Sequence, residues 1–190
     1  MNWILASGSP RRRELLEMLG VPNLTIRPAK GPERATPGAG PEQTVRELAL
    51  HKAQEVAQTC APEDIVIAAD TIVYLDGAIL GKPKDTADAA RMLAALSGRE
   101  HTVYTGVAVL RGGETRLAAE HTAVRFRTLT PAEIARYIAT GEPMDKAGAY
   151  GIQGRGALFV EHLDGDYFNV MGLPLCRLGQ LLNELGVELL

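Results

Sequence analysis

An aliphatic run that ends on a carboxylate constrains the fold of this chain more than any other feature. Residues 65–69 are apolar and partly β-branched, and the run has the length expected for a strand buried on both faces. Asp70 follows it. A second apolar run then meets Asp76-Gly77, a dipeptide that supplies the positive φ angles of a tight hairpin turn. The pattern predicts a central strand with Asp70 at its end and a hairpin whose return strand leads to Lys82.

Asp70 and Lys82 allow two interpretations. In the first, Asp70 caps a turn and Lys82 is a solvated loop lysine. In the second, both belong to a functional site. The strand pattern alone does not decide between the two, and the choice depends on the rest of the chain.

Helical and strand patterns are mixed along the rest of the chain, and hairpin turns occur among them. Because hairpins join antiparallel strands, we expect an α/β fold with a mixed sheet. Thr130 and Glu133 have the spacing of a capping box. The predicted strands are residues 3–6, 65–69, 72–75, 78–80, 103–110, 116–126, 157–163 and 166–171, and the predicted helices are residues 10–20, 42–59, 85 or 86 to 96, 130–141 and a last helix from Pro174.

Length and charge narrow the class of protein. A chain of 190 residues fits one domain, or one domain with two lobes. A net charge of −3 gives no bulk reason to expect nucleic acid or an anionic membrane as partner. Cys60 and Cys176 lie far apart, which argues against a disulfide framework or a zinc site. No signal peptide and no apolar stretch of the ~20 residues that span a bilayer is recognised, so we expect a cytoplasmic protein.

The start of the first predicted helix has the composition of an anion site. Ser9 and Pro10 suit the N-cap and the first helical position, and three arginines follow. Cations there oppose the helix dipole, whereas free N–H groups and guanidinium groups together attract phosphate. The candidate phosphate-binding residues are Ser7, Arg12 and Arg13. The alternative is that some of these arginines pair with acids elsewhere.

Lys52 falls on the apolar stripe of the predicted helix 42–59, seven residues after Val45 and four before Val56. A lysine on the buried side of a helix usually extends to the edge of the apolar surface. With a phosphate site in the fold, a second explanation is that Lys52 reaches into that site.

A glycine-rich segment covers residues 145–156 and holds four glycines in its last nine residues. Glycine permits close approach of the backbone to a ligand and strained turns. The order of its glycines matches neither the dinucleotide fingerprint nor a Walker A loop.

Five segments together resemble the signature segments of the Maf family of nucleoside triphosphate pyrophosphatases. They occur in the same order as in the family and cover almost the whole chain. The segments are LASGSPRR (5–12), ADT (69–71), GKP (81–83), DKAGAYGIQG (145–154) and NVMGLPL (169–175).

The resemblance implies a fold and a reaction. The implied fold is a single domain over residues 1–190, two-lobed and α/β, with a long, mixed, curved sheet flanked by helices. It is like that of the inosine-triphosphatase group, with the nucleotide in a cleft between the lobes. The implied reaction cleaves a nucleoside triphosphate to the monophosphate and pyrophosphate. A homodimer and a divalent cation, Mg²⁺ or Mn²⁺, are also implied, with neither nucleic acid nor a membrane as partner.

The resemblance also assigns roles to residues. Asp70 is implied to be the proton acceptor and a metal ligand, while Arg12, Lys52 and Lys82 bind phosphate. Arg12, Thr71 and Gln153 match the set typical of members that act on dTTP and UTP. The family usually has two neighbouring acids near residue 33, and only Glu33 stands here as a candidate metal ligand.

A rival hypothesis from another class is a non-catalytic nucleotide sensor that regulates cell division. A binder has no need for an acid able to hold a metal beside its phosphate site, so Asp70 favours the enzyme. A phosphotransferase is a weaker rival, because no acceptor site is recognisable.

Overall fold

The computed structural model describes residues 1–32 and 34–190 and shows a mixed α/β fold around a seven-stranded sheet. The strands are β1 (Trp3–Leu5), β2 (Leu24–Ile26), β3 (Ile65–Leu75), β4 (Ala78–Leu80), β5 (Glu100–Arg111), β6 (Glu114–Phe126) and β7 (Val160–Asp164). The strand order is β2-β1-β3-β5-β6-β7, with β4 paired to β3. β1 pairs in parallel with β2 and β3, whereas the β3–β4 and β6–β7 pairs are antiparallel, which confirms the prediction of a mixed sheet.

Helices occupy most of the segments that the apolar periodicity predicted. Three short 3₁₀ turns, Glu142–Asp145, Ala147–Ala149 and Arg155–Phe159, fall in and beside the glycine-rich segment. The helices are α1 (Pro10–Met18), α2 (Pro41–Ala57), α3 (Thr86–Leu96), α4 (Pro131–Ile138), α5 (Tyr167–Met171) and α6 (Leu175–Asn183). Among the residues described, no helix has the length and apolar character needed to cross a membrane.

The chain divides into two compact units. Unit 1 comprises Met1–Asp70, Thr105–Glu120 and Gly172–Leu190, and unit 2 comprises Thr71–Tyr104 and His121–Met171.

Small residues build the core of unit 1 where α2 packs against the sheet. Ala49 and Ala53 of α2 are fully buried there, next to Ala108 of β5. A Cβ at Gly106 would lie 2.1 Å from the carbonyl oxygen of Val45, so glycine is required for this close approach. The short side chains bring the backbone of α2 close to the sheet, and Lys52 is carried on this helix.

Aromatic residues dominate the core of unit 2. The ring of Phe126, on β6, contacts those of His101, Tyr150 and Phe159, with ring centroids 4.7 to 5.8 Å apart. The helices α3 and α4 of this unit begin as predicted. The carboxylate of Asp85 accepts the Asp88 N–H at the start of α3, and Thr130 and Glu133 form the capping box of α4.

Asp70 lies inside a strand and not at the end of one. The two predicted runs, 65–69 and 72–75, form the single strand β3, so the expectation of a strand end at Asp70 is wrong. The hairpin turn is confirmed, with φ angles of 48° at Asp76 and 83° at Gly77. The strand continues through the acid because Asp70 has a cationic partner, Lys52, which offsets the cost of burying a charge.

The predicted strand at residues 166–171 is also wrong, because these residues form the helix α5. The carboxylate of Asp166 accepts the backbone N–H of Phe168 at 2.7 Å, which starts a helical turn. Asn169 is fully buried, and its amide donates to the carbonyl of Val103 and to the hydroxyl of Thr122. The apolar pattern therefore reflected burial of a short helix and not strand pairing.

Smaller differences concern the ends of elements. The first part of the predicted strand 157–163 belongs to the 3₁₀ turn Arg155–Phe159, and the strand begins at Val160. β2 carries no sequence signal that was recognised. Ser9 occupies the N-cap of α1, but its side chain makes no capping hydrogen bond, whereas Pro10 is the first helical residue as predicted.

Candidate active site

Asp70 and Lys52 form a nearly buried ion pair in unit 1. Lys52 Nζ, on α2, donates to Asp70 Oδ1, on β3, at 2.5 Å. The Asp70 side chain is 11% exposed and that of Lys52 is 19% exposed. A carboxylate so far removed from water stays ionised only with such a partner. The pair therefore places a basic, charged oxygen at a fixed position on the sheet.

Arg12 is held in a defined orientation at the start of α1. Its Nε donates to the carbonyl oxygen of Gly172 at 2.7 Å, and its Nη1 donates to Ser7 Oγ at 3.0 Å. Ser7 is 8% exposed and also accepts the backbone N–H of Ser9 at 3.3 Å. The guanidinium is thus fixed beside the N-terminal turn of the helix, where an anion would be stabilised.

Arg13 points along the surface of α1. Its Nε donates to the carboxylate of Glu17, one helical turn further on, at 2.7 Å, and both side chains are about half exposed. Arg13 therefore matches the alternative interpretation of the arginine cluster, in which an arginine pairs with an acid.

Thr71 and Lys82 belong to unit 2. Thr71 is half-buried on β3, directly after Asp70, and Lys82 is exposed just beyond β4. The backbone N–H of Gly148 donates to the carbonyl oxygen of Gly81 at 3.0 Å, which ties the loop that carries Lys82 to the glycine-rich segment. A Cβ at Gly148, where φ is 68°, would lie 2.7 Å from Val73, so glycine is needed at this junction.

Gln153 is exposed on a short turn of the glycine-rich segment. The N–H of Gly154 donates to the carbonyl of Gly151 at 3.3 Å and closes this turn. The side chains of Tyr137, on α4, and Glu142 accept hydrogen bonds from backbone N–H groups of this segment. Neither residue was predicted from the sequence as part of the site. Glu142 carries no sequence signal for this role, because a single acid just before the segment has the pattern of a surface residue.

His101 and Tyr150 form a buried polar contact within the core of unit 2. His101 Nε2 lies 2.8 Å from the Tyr150 hydroxyl, and His101 is 3% exposed. Burial lowers the pKa of His101 to about 4, so the ring is neutral near pH 7. Burial also raises the pKa of Tyr150. This neutral pair anchors the residue that precedes Gly151.

The described residues offer one acid of the predicted metal set. Glu33 lies outside the residues that the structure describes. Within residues 1–32 and 34–190, no three His, Cys, Asp or Glu side chains come together as a metal cluster. Mg²⁺ is commonly bound through one or two carboxylates together with substrate phosphates, and Asp70 supplies one such carboxylate. The donor set therefore fits a cation that is bound jointly with a triphosphate.

The structure thus brings the predicted residues together in pairs. In unit 1, Ser7 contacts Arg12, and Lys52 contacts Asp70. In unit 2, the loop of Lys82 and the segment of Gln153 are joined through the backbone. Chemically, unit 1 offers a carboxylate paired with a lysine and an oriented arginine, and unit 2 offers a lysine and an amide.

The chain is similar to known proteins over nearly its whole length. The chain is 54% identical over 187 residues to a dTTP/UTP pyrophosphatase of Moorella thermoacetica, which covers 97% of this chain and 95% of the relative. It is 52% identical over 183 residues to a dTTP/UTP pyrophosphatase of Symbiobacterium thermophilum, with 96% and 93% covered.

Among solved structures, the fold is similar to that of a HAM1 protein from Coxiella burnetii, with a TM-score of 0.53 and 17% identity. The match covers 97% of this chain and 99% of the HAM1 chain. At this identity the likeness concerns the fold alone, and it confirms the predicted fold class. A family model described as Maf-like protein matches residues 2–185. The chain therefore belongs to the family of Maf-like proteins.

Proposed function

We propose that this protein hydrolyses dTTP and UTP to the monophosphate and pyrophosphate. The observation that carries the proposal is the nearly buried pair of Asp70 and Lys52, which presents an ionised carboxylate in a chain with cations suited to phosphate. Relatives that are 52 to 54% identical over nearly the whole chain and are named dTTP/UTP pyrophosphatase support the choice of substrate.

Asp70 acts as the general base in this proposal. Cleavage of the anhydride between the α- and β-phosphates requires a water molecule to lose a proton as its oxygen bonds to phosphorus. The water oxygen bonds to the α-phosphorus, and the leaving pyrophosphate takes the electrons of the broken P–O bond. The Asp70 carboxylate accepts the proton, and Lys52 keeps that carboxylate ionised and oriented until the proton arrives.

Cations of the chain bind the triphosphate and stabilise the charge that develops on it. Arg12 is already oriented by Ser7 and Gly172, so little conformational entropy is lost when it binds an anion. Lys52 and Lys82 serve the same purpose. Arg13 joins them only by leaving Glu17, which costs little because the ion pair is exposed to solvent.

A divalent cation, Mg²⁺ or Mn²⁺, would be held by Asp70, with Glu33 as the second acid. When bound, it neutralises charge on the phosphate oxygens. Asp70 is suited to this purpose because it is an oxygen donor whose position is fixed by Lys52.

Gln153 recognises the base, together with Thr71 and Arg12. A glutamine amide offers both a donor and an acceptor, which suits the imide edge of uracil and thymine. In cytosine an amino group replaces one carbonyl and the neighbouring ring nitrogen carries no hydrogen, so an amide held in one orientation would lose both hydrogen bonds.

The test is incubation of the protein and Mg²⁺ with a panel of nucleoside triphosphates, with pyrophosphate and orthophosphate measured separately. We expect pyrophosphate from UTP and dTTP. Stepwise release of orthophosphate would indicate a phosphatase instead, and binding without turnover of any triphosphate would indicate a sensor.

A further inference from the structure

Glu142 is the centre of a set of hydrogen bonds around the turn that carries Gln153. Its Oε2 accepts the backbone N–H of Arg155 at 3.0 Å, and its Oε1 accepts that of Gly156 at 3.2 Å. Oε1 also accepts the hydroxyl of Tyr137 at 2.8 Å. One carboxylate therefore fixes the chain on the C-terminal side of the turn.

Tyr137 fixes the other side of the same turn. The backbone N–H of Gly151 donates to the Tyr137 hydroxyl at 3.1 Å, and that hydroxyl in turn donates to Glu142. Tyr137 is 4% exposed, and its ring packs edge-on against Phe159 with the centroids 4.9 Å apart. The turn of residues 151–156 is thus held at both ends by two side chains that are bonded to each other.

The glycines of the turn are required by these contacts. A Cβ at Gly154 would lie 2.4 Å from Oε1 of Glu142, and a Cβ at Gly156 would lie 2.6 Å from the carbonyl oxygen of Gly151. The carboxylate approaches the backbone so closely that only glycine fits there. The glycine-rich composition serves this attachment.

The carboxylate of Glu142 is ionised when it makes these contacts. Burial by itself raises its pKa, but the N–H groups of Arg155 and Gly156, the Tyr137 hydroxyl and the charge of Lys146 together bring the pKa below its usual value. Lys146 also donates to the carbonyl oxygen of Glu142 at 2.7 Å. Charge-assisted hydrogen bonds of this kind are roughly twice as strong as neutral ones.

We propose that Glu142 and Tyr137 are positioning residues for base selectivity, because they hold the turn on which Gln153 meets the nucleotide base. The inference rests on the proposed function of Gln153. An exposed turn rich in glycine would otherwise sample many conformations, and its ordering would cost binding free energy. Discrimination by an amide requires that the amide be held within about 0.5 Å of its productive position.

Two substitutions test the role. Glu142→Gln keeps the size of the side chain but leaves one backbone N–H opposite an NH₂ group. Tyr137→Phe keeps the ring packing against Phe159 and removes only the hydroxyl, so it remains informative if the first variant folds poorly. The matched control is Glu133→Gln in the same unit, because Glu133 also accepts a backbone N–H, that of Thr130 at 2.8 Å, at the start of α4.

The measurements are kcat/KM for UTP, dTTP and CTP, and hydrogen exchange of peptides that cover residues 151–156. For Glu142→Gln we expect the ratio of kcat/KM for UTP to kcat/KM for CTP to fall by roughly 5–10-fold, as for the loss of one hydrogen bond. Hydrogen exchange in the turn should become faster. Tyr137→Phe should change both in the same direction, and Glu133→Gln should keep the ratio and the exchange of the parent.

The outcomes separate the positioning role from the proposed function. A parent protein that does not prefer UTP over CTP overturns the role of Gln153 and this inference with it. A parent that discriminates, with variants that keep its ratio or lose turnover of all three nucleotides equally, overturns the positioning role alone. Unchanged exchange of residues 151–156 in both variants overturns it as well.

Discussion

Unit 1 and unit 2 use opposite kinds of buried polar pair. In unit 1, Lys52 and Asp70 carry charges and remain 19% and 11% exposed. In unit 2, His101 and Tyr150 are shielded more completely, and the pKa of His101 is lowered by burial to about 4. The first pair leaves charged groups partly exposed, and the second keeps charge out of the core that supports the glycine-rich segment.

The difference indicates how the two halves of a substrate can be treated separately. Phosphate groups are the same in every nucleoside triphosphate, so in the proposed function charged groups such as Asp70 and Lys52 act on all of them alike. Uracil and cytosine differ in the order of donors and acceptors, so in the proposed function the selectivity between them depends on the position of a neutral group such as Gln153. Substitutions of Asp70 and Lys52 should therefore lower turnover of all substrates, whereas those around the turn of Gln153 should alter the ratio between them.

The largest expected effect is that of Asp70→Asn. The change keeps the shape of the side chain and removes the charge and the basic oxygen, so kcat should fall by roughly 10²–10⁴-fold with UTP and with dTTP equally. Affinity for the nucleotide should be largely retained. Steady-state kinetics and nucleotide binding check the two statements.

Asp64→Asn is the matched control for this variant. Asp64 is also buried in unit 1, where it accepts the backbone N–H groups of Asn2 and Ala61 and supports the start of β3. It should affect stability but not kcat. Near-normal turnover by Asp70→Asn would make Asp70 a structural residue of β3.

The pH dependence of folding tests the neutral pair of unit 2. The pKa of His101 is about 4 in the folded chain, against 6.5 as its ordinary value. Between these two pH values the unfolded chain therefore binds a proton at this residue and the folded chain does not. The stability that His101 contributes is complete above pH 6.5 and is lost as the pH falls towards 4. The loss amounts to about 2 kcal/mol between about pH 7 and about pH 5.

His101→Gln should remove this part of the pH dependence, because an amide does not titrate. Urea unfolding at the two pH values measures it as a smaller change in the free energy of unfolding than in the parent. The exposed His162 provides the control, and His162→Gln should keep the parental dependence. Equal changes in the parent and in both variants would show that His101 is not kept neutral by the fold.

Lys52→Ala tests whether the charged pair acts on all nucleotides alike. A hydrogen bond to a charged group contributes roughly 1.5–3 kcal/mol, so kcat/KM should fall by roughly 10–150-fold for UTP, dTTP and CTP alike. Lys52→Arg should not restore activity, because the planar guanidinium group of arginine has a different shape from the compact ammonium group that lies 2.5 Å from the Asp70 carboxylate.

Lys82→Ala should act in the same direction as Lys52→Ala, and the exposed Lys84 next to this loop supplies the control. Kinetics with the three nucleotides is the measurement. If either lysine variant changed the ratio of kcat/KM for UTP to that for CTP, the lysines would influence base selectivity as well as phosphate binding.

Features encoded by neighbouring residues could be predicted from the sequence. The Asp76-Gly77 turn depends on two residues that adopt positive φ, and the capping box depends on Thr130 and Glu133, three positions apart. Asp70 and Lys52 could be identified as candidate site residues from the sequence, because each is a charged residue within an apolar pattern. Burial of such a charge costs free energy unless it has a partner or a function.

Features that depend on distant partners could not be predicted. The continuation of β3 through Asp70 depends on a lysine 18 residues away. The helix at 167–171 depends on Asn169, whose partners Val103 and Thr122 lie 66 and 47 residues away. Glu142 read alone is an ordinary surface acid, and only the fold shows the backbone N–H groups that it accepts.

Gln153→Glu tests whether Gln153 itself determines the selectivity for uracil and thymine. The carboxylate keeps the size of the amide but loses both N–H donors, and each unsatisfied group costs roughly 1–3 kcal/mol. Turnover of UTP and dTTP should therefore fall by roughly 5–150-fold more than turnover of CTP and GTP. The matched control is Gln180→Glu on α6, where the side-chain oxygen accepts Arg177 Nη1 at 2.8 Å and a carboxylate can do the same. If turnover falls equally for all four nucleotides, Gln153 serves the turn and not the base, and selectivity for uracil and thymine must come from residues outside this turn.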